Sequence, residues 1–317
     1  MTATSVPAPP ADLPRGRARP HRRLRLLTTS DRLVLALMIG IPALLVLTIV
    51  WLPAIGTVLL SFTNWNGIGP VRDIEVIGLR NYTDVVTNYP PFETAVRNNL
   101  LWLAAFFVVA TPLGIFMAIL LDKDLRGTWF YRSALYLPVV LSLALVGFIW
   151  QLIYSRDQGL LNAMLGLDGA DRIDWYGDPD VNIWAVMVAA TWRHVGYIML
   201  LYLAGLRGVD PTLREAAAVD GASEVRTFVS VIFPALRPVN IVILVITVIE
   251  SLRAFDIVWV INRGRNGLEL LSTLVASNII GEASLVGFGS AIATLLLTVS
   301  TVFIVIYLTT ILRGEQR

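Results

Sequence analysis

The sequence contains no cysteine, which excludes disulfide bonds, thiolate nucleophiles and cysteine-ligated zinc. Of its two histidines, His21 lies in the N-terminal tail, and His194 cannot build a metal-binding cluster by itself. Its single lysine, Lys123, lies between two aspartates, so the chain has no Gly-Lys-Ser/Thr loop for binding phosphates. We therefore expect no metal, no cofactor bound by this chain and no ATPase activity of its own.

Charged residues are also scarce, at 15% of the 317 residues, whereas hydrophobic residues make up 56%. Such a composition is typical of membrane proteins. The net charge of +2 would also be compatible with nucleic-acid binding, but the arginines occupy the positions that membrane topology favours. We expect membrane lipid around the chain and no nucleic-acid partner.

Six apolar segments reach the length of about 20 residues that a helix needs to cross the hydrocarbon core of a bilayer. They are 33–60, 99–121, 133–154, 183–206, 239–261 and 288–312. The sequence therefore predicts an all-α integral membrane protein with six transmembrane helices. Prolines interrupt the first three segments, and membrane helices tolerate them where neighbouring groups take up the freed carbonyls.

The distribution of basic residues predicts the orientation of these spans. With the N-terminus placed inside, the inner segments are 1–32, 122–132, 207–238 and 313–317. Together they carry more than twice as many lysines and arginines as the three outer segments, as the positive-inside rule requires. Both termini are therefore predicted to be cytoplasmic. Residues 1–32, rich in arginine and proline, are predicted to be a disordered tail.

The third inner segment, 207–238, is a polar stretch between two apolar runs. Asp210 and Pro211 favour the start of a short helix, and Gly221 favours a bend after it. A second short helix is predicted from about Ser223 to Ile232, ending before Pro234, which has no backbone donor. We call these two helices the knob. They are too short and too polar to cross a bilayer, and they suit a groove on another protein.

Ten positions of this segment carry a resemblance to a known motif. They are Glu215, Ala216, Ala217, Asp220, Gly221, Ala222, Phe228, Pro234, Leu236 and Pro238. The pattern E-A-A-x-x-D-G-A, followed by phenylalanine and P-x-L-x-P, resembles the EAA loop of permease subunits from bacterial ABC importers of the maltose and glycerol-phosphate group. The outer stretches 77–86 and 92–102 also resemble this family, with Asn99 in place of the usual threonine. Residues 261–273 depart from it, because they lack the usual Gly-Gly-Pro.

The resemblance implies a type I ABC importer (MetI-like) permease fold over residues 33–312, in the bacterial inner membrane. The chain would be a non-catalytic subunit that forms half of a translocation path. Its expected partners are a second permease subunit in a heterodimer, two cytoplasmic ATPase subunits that use ATP, and an extracytoplasmic solute-binding protein. The EAA loop at 207–238 would couple to the ATPase. The residues that the resemblance assigns to coupling are Glu215, Ala216, Ala217, Asp220, Gly221 and Ala222.

Charged residues inside the apolar spans are costly and usually face a bundle interior or a water-filled cavity. The fifth span contains Glu250, Arg253 and Asp256 at intervals of three, which predicts one helical arc with neighbouring opposite charges. The fourth span contains Trp192 and Arg193. These side chains either form an ion network that holds helices together or line the substrate path.

Within the second interpretation, Asp256 is the preferred substrate contact, because Phe255-Asp256 resembles a pair in the family's fifth span. Trp259 or Trp192 would offer a stacking face, since sugars combine hydroxyl groups with apolar faces. A sugar or oligosaccharide is the favoured substrate. Arginines 193, 253, 263 and 265 keep open a permease for glycerol-3-phosphate or a polyol. A secondary transporter is less favoured, because no internal repeat is evident.

Overall fold

The computed structural model describes residues 28–123, 128–281 and 284–315. The predicted tail falls outside these residues up to position 27, as do residues 316 and 317. Regular structure in the described part is helical, apart from an isolated antiparallel bridge between Thr63 and Val76. The predicted all-α class is confirmed. The chain divides into two compact units, residues 1–53 and 54–317.

The first helix begins at Thr29. Residues 29–32, which were predicted to belong to the tail, are therefore helical. Thr28 and Asp31 form a capping box: the Asp31 amide donates to the Thr28 hydroxyl at 3.2 Å, and the Thr28 amide donates to the Asp31 carboxylate at 3.0 Å. This reciprocal cap satisfies two backbone donors that a helix start leaves unpaired. The helical run then continues to Leu60 through a π-helical turn at Leu47–Trp51.

Helices that could cross a membrane occur at all six predicted positions of the described chain. Four are continuous: Thr29–Leu60, Pro90–Asp122, Asn182–Arg207 and Val286–Tyr307, the last within a helix that reaches Glu315. Two are bent pairs: Trp129–Val140 with Leu143–Ile153, and Glu224–Ala235 with Arg237–Asn262. We number these spans 1 to 6 in chain order. Span 3 consists of Trp129–Val140 and Leu143–Ile153, and span 5 is Arg237–Asn262 without Glu224–Ala235.

Shorter helices connect the spans. They are Arg80–Thr87, Leu160–Met164, Pro211–Val219 and Leu271–Ile279, with single 3-10 turns at Val71–Asp73 and Gly169–Asp171.

Span 3 is not the single helix predicted over 133–154. Its two helices meet at an angle of 103°. Ser142 has extended backbone geometry between them, and its hydroxyl accepts from the Leu145 amide at 3.2 Å, so it caps the second helix. Pro138 lies one turn before this cap, where its missing donor weakens continuation of the first helix.

Span 5 is also interrupted, although its sequence has no internal proline near the break. The helix Arg237–Leu252 ends, residues 253–255 are not helical, and a short helix resumes over Asp256–Asn262. Two carbonyls freed at this break find donors on other elements. The Asn99 amide donates to the Ser251 carbonyl at 3.1 Å, and the Ser272 hydroxyl donates to the Ala254 carbonyl.

The core lies around span 4, which packs against spans 2, 3 and 5. Small residues allow close approach between backbones, as is common between membrane helices. A Cβ atom added to Gly114 would lie 2.6 Å from Ile198, and one added to Gly196 would lie 2.5 Å from the Leu135 carbonyl oxygen. Span 4 therefore touches spans 2 and 3 at points where no side chain fits.

We expect Gly196→Ala to destabilise the protein by about 1–3 kcal/mol, the usual cost of overpacking, because the added methyl group meets a backbone oxygen that cannot turn away. Gly56→Ala is the matched control, since a Cβ there meets nothing within 4 Å and alanine favours a helix. The measurement is thermal unfolding of the purified proteins in detergent. Equal melting temperatures for the two variants would contradict the close packing.

Candidate functional site

The knob begins as predicted. Its first helix spans Pro211–Val219, and the Asp210 carboxylate caps it by accepting from the Thr212 amide at 2.9 Å. The turn that follows the helix contains Gly221, which has a φ of +70°. The amides of Gly221 and Ala222 donate to the carbonyls of Ala218 and Ala217 at 3.1 and 3.0 Å. This closure needs a left-handed residue, which glycine adopts without strain.

The second knob helix is longer than predicted. Ser223 caps it, and it runs from Glu224 to Ala235, so the predicted end before Pro234 is wrong. A π-helical turn at Phe228–Ile232 precedes the proline, which then occupies the first turn of a new helical register where its missing donor is tolerated. At Leu236 the chain bends by 77° into span 5.

The residues assigned to coupling differ in their exposure. Glu215, Ala216, Asp220 and Gly221 are exposed, whereas Ala222 is half-buried. Ala217 is only 6% exposed and packs within the protein. Four of the six residues are therefore accessible to a partner. Ala217 contributes to the packing of the knob itself, which a motif pattern alone does not distinguish from an external contact.

The knob also exposes apolar side chains that sequence reasoning did not single out. Val219, Val225 and Val229 are 88%, 74% and 59% exposed. Leu213 and Phe233 are exposed as well. Apolar side chains that accumulate on the outside of a polar segment mark a surface for another protein. The signal in the sequence was the presence of valines between the charged residues of 207–238.

The break in span 5 brings together four of the six residues predicted for the substrate path. Arg193, Glu250, Arg253 and Asp256 line one small cavity of about 30 Å³, together with aromatic residues of spans 2 and 4. This volume is enough for about one water molecule and too small for a sugar.

The predicted helical arc of Glu250, Arg253 and Asp256 is wrong, because the break at 253–255 disrupts the helical spacing between them. Among the described residues, none of the three takes part in an ion pair within 4.0 Å. The predicted pairing of opposite charges three residues apart is therefore not formed in this structure.

A larger cavity of about 570 Å³ lies on another side of the same break. Arg253, Phe255 and Asp256 line both cavities, so the non-helical segment lies between them. Most of its other lining residues are apolar and come from span 5, the helix Leu271–Ile279 and span 6; Ser272 and Ser300 are polar. Its volume falls within the range of about 300–1,000 Å³ for sites that bind small molecules.

The two tryptophans predicted as stacking faces lie apart. The Trp259 ring stacks on Phe255 with 5.1 Å between centroids, and it lines a third cavity of about 490 Å³ with Arg263 and Arg265. The Trp192 ring meets Trp150 edge to face at 5.8 Å. Phe255 and Trp259 thus form a continuous aromatic surface between the break and the C-terminal end of span 5.

Two buried asparagines stabilise the chain segments around the break in span 5. Neither was predicted as a functional residue. The Asn98 amide donates to the carbonyls of Gly267 and Glu269 at 2.7 and 2.9 Å. Asn99 donates to Ser251 and accepts from the Leu271 amide at 3.0 Å. The adjacent asparagines in the sequence were a signal, because buried amides need several partners.

Comparisons with known proteins place the chain in a family. Residues 110–314 match the family model described as the inner membrane component of binding-protein-dependent transport systems. The chain is 32% identical to a xylose/arabinose import permease protein of Haloferax volcanii, covering 87% of each chain. It is 33% identical to a diacetylchitobiose uptake system permease protein of Streptomyces coelicolor, covering 95% of this chain and 87% of that protein.

A third relative and a solved structure agree with these matches. The chain is 31% identical to a trehalose/maltose transport system permease protein of Thermococcus litoralis, over 83% of this chain and 88% of the relative. It shares its fold with a chain of a bacterial ABC transporter that imports the acidic polysaccharide alginate. The TM-score is 0.76 at 20% identity, covering 90% of this chain and 96% of that one.

We expect Asn99→Ala to lower the free energy of unfolding by about 1–3 kcal/mol, because it leaves a buried carbonyl at Ser251 and a buried amide at Leu271 without partners. Asn88→Ala is the control, since the exposed Asn88 side chain donates to Asp84 on its own helix surface. Thermal unfolding in detergent measures both variants. If Asn99→Ala unfolds at the same temperature as Asn88→Ala, the break does not depend on this side chain.

Proposed function

The chain belongs to the family of binding-protein-dependent transport system inner membrane components, the permease subunits of ABC importers, and on this premise we propose that it carries a sugar or oligosaccharide across the bacterial inner membrane. The observation that carries this proposal is that one helix connects the exposed knob, with Glu215 at its surface, to a cavity lined by Arg253, Asp256 and Phe255. Relatives named for the uptake of xylose or arabinose, trehalose or maltose, and diacetylchitobiose support the substrate class.

In the proposed topology, both termini and the knob are cytoplasmic. Two ATPase subunits bind ATP there, and one of them receives the knob. The exposed valines supply apolar contact area, and Glu215 pairs with a basic residue of the ATPase. Ala216, Asp220 and Gly221 allow a close approach. Ala217 and Ala222 act from inside, by holding the first knob helix against the second.

The knob is connected directly to the proposed path. After the bend at Leu236, the 16-residue helix Arg237–Leu252 leads to the break in span 5. A helix of this length spans about 24 Å, most of the hydrocarbon core. When ATP binding closes the ATPase dimer, movement of the knob tilts this helix and shifts the break. This is a rigid-body mechanism of alternating access.

The larger cavity is the proposed substrate path. The Asp256 carboxylate accepts hydrogen bonds from sugar hydroxyls, Arg253 donates to them, and Phe255 covers an apolar sugar face, which are the group types that sugar sites require. Trp259 lies at the outer end of the same aromatic surface. A second permease subunit completes the open side of this cavity, and a solute-binding protein delivers the substrate from outside.

Glu250, Arg193 and Trp192 have a supporting role in this proposal. Glu250 and Arg193 line only the small cavity of the two that meet at the break, where a sugar does not fit. Trp192 packs on Trp150 of span 3. The ring contact of Trp192 joins spans 4 and 3, and Glu250 and Arg193 lie beside the path without touching the sugar.

A permease for glycerol-3-phosphate or another phosphorylated solute is the second candidate. The observation that favours it is the third cavity, where Arg263 and Arg265 lie beside Trp259 and none of the described lining residues is acidic. Arginines are well suited to phosphate oxygens. Competition by unlabelled glycerol-3-phosphate against uptake of labelled maltose, trehalose, xylose and diacetylchitobiose separates the two candidates.

We expect Glu215→Ala combined with Gly221→Leu to abolish ATP-driven uptake while leaving the protein in the membrane. The first change removes the proposed contact with the ATPase, and the second places a side chain at a φ of +70°, which only glycine adopts without strain. Uptake of the labelled sugars in cells lacking other importers is measured beside immunoblots of the membrane fraction. Glu93→Ala, at the start of span 2, is the control. Normal uptake by the double variant would refute the coupling role.

We expect Asp256→Asn to raise the half-saturating sugar concentration for transport by about tenfold, the scale of losing one hydrogen bond to a charged group. Glu250→Gln is the matched control, because Glu250 lines the small cavity and not the large one. It should leave that concentration unchanged. Transport kinetics in proteoliposomes give the comparison. If Asp256→Asn changes only the melting temperature, Asp256 has a packing role.

A further inference from the structure

The end of span 2 and the knob carry complementary charges that meet in pairs. Asp122 and Lys123 are consecutive residues at the C-terminal end of span 2. The Arg214 guanidinium donates to the Asp122 carboxylate at 2.7 Å, and the Lys123 ammonium donates to the Glu224 carboxylate at 2.6 Å. Arg214 belongs to the first knob helix and Glu224 to the second. Within the described part of the chain, each knob helix is therefore joined to the end of span 2 by one ion pair.

The two pairs differ in how far they are shielded from solvent. The Asp122 side chain is 16% exposed and that of Arg214 45%, whereas Lys123 and Glu224 are 52% and 83% exposed. Exposed ion pairs add little to folding stability. We therefore expect these two pairs to affect mainly the orientation of the knob. The hydrogen bond from Lys123 lowers the pKa of the Glu224 carboxyl. The carboxylate therefore remains charged at neutral pH, and the pair is lost only as the pH falls through that lowered pKa.

The described residues leave a groove between the knob and the spans on this side. A cavity of about 280 Å³ lies there, and all four charged residues line it. The rest of its lining is largely apolar and comes from spans 2 and 4 and from both knob helices. The cavity is a partly open groove, and the two ion pairs reach across it from span 2 to the knob.

The other end of the knob is held differently. Ile232 and Leu236 are buried in one cluster with Leu121 and Leu206, at the ends of spans 2 and 4. The knob thus has an apolar anchor near the bend at Leu236 and polar attachments farther out. The order of charges permits one orientation, since exchanging the two knob helices would bring Arg214 to Lys123 and Glu224 to Asp122.

We propose that Asp122, Lys123, Arg214 and Glu224 form a tether that sets the orientation of the knob and passes its movement to span 2. The tether rests on the proposed coupling role of the knob. Arg214 directly precedes Glu215, and adjacent helical residues point about 100° apart. The Arg214 side chain therefore contacts Asp122 of this protein, while the Glu215 side chain points toward the ATPase. Span 2 then moves together with span 5, which the knob drives through Leu236.

The absence of cysteine from the chain allows a direct test in the assembled transport complex in lipid nanodiscs. Ser230→Cys on the second knob helix and Leu100→Cys on span 2 replace exposed side chains that have no assigned ATPase contact, and both accept spin labels. The distance distribution between the labels is measured without nucleotide and after trapping with ATP and vanadate. In the background protein we expect one narrow distribution that stays the same when ATP is trapped, because the tether makes the knob and span 2 move together.

Charge reversals are then added to this labelled background. We expect Arg214→Asp or Asp122→Arg to reduce the population in the native distance by about fivefold, the scale that a partly exposed ion pair permits. The double swap Arg214→Asp with Asp122→Arg should restore both the native distance and its constancy when ATP is trapped. Lys123→Glu and Glu224→Lys form a second, independent swap. Arg207→Asp is the control, because Arg207 ends span 4 and has no ion pair among the described residues.

Each result decides the proposal. Single reversals that leave the distribution unchanged overturn it, and so do swaps that fail to restore what the single reversals disturb. If a reversal prevents assembly of the complex, Arg214→Gln and Glu224→Gln replace it and are judged in the same way. If the distance in the background protein changes when ATP is trapped, the knob moves against span 2 and the tether fails. If Glu215→Ala with Gly221→Leu leaves ATP-driven uptake normal, the coupling role of the knob fails, whatever the distances show.

Discussion

The central constraint on this structure is that every backbone group inside a membrane needs a partner, because lipid offers none. Span 5 breaks near its middle and would leave carbonyls unpaired there. Asn99 of span 2 and Ser272 of the helix Leu271–Ile279 donate to two of these carbonyls. The break is thus stable only because three elements meet at it. The same meeting places Arg253, Phe255 and Asp256 between two cavities, so the compensation for the break also creates the candidate site.

A second consequence concerns how force could pass through the molecule. The knob and the break lie at opposite ends of one uninterrupted helix, Arg237–Leu252. Regular helices transmit displacement along their axis, whereas a non-helical segment can change its backbone angles at low cost. The stiff part of span 5 therefore lies between the proposed input and the proposed path, and the deformable part lies at the path itself.

Because charged residues are scarce in this chain, the position of each one is more informative than it would be in a soluble protein. The one lysine of the chain joins the knob to span 2, beside an aspartate that does the same with the opposite sign. The charges within span 5 lie at the break and not along a continuous helix. In both places the polar groups occur where regular packing is interrupted, because only there can water or a partner group reduce the cost of burying charge.

The sequence by itself determined the all-α class, the positions of the six spans and the start and bend of the knob. These features depend on local properties: the length of an apolar run, the cap at Asp210 and the freedom of Gly221 to adopt a positive φ. Only the tertiary structure decided where span 5 breaks and that Ala217 is buried. The reason is that these outcomes depend on partners far away in the chain. Asn99 and Ser251 are separated by 152 residues, and no pattern within one helix indicates that their side chain and carbonyl will meet.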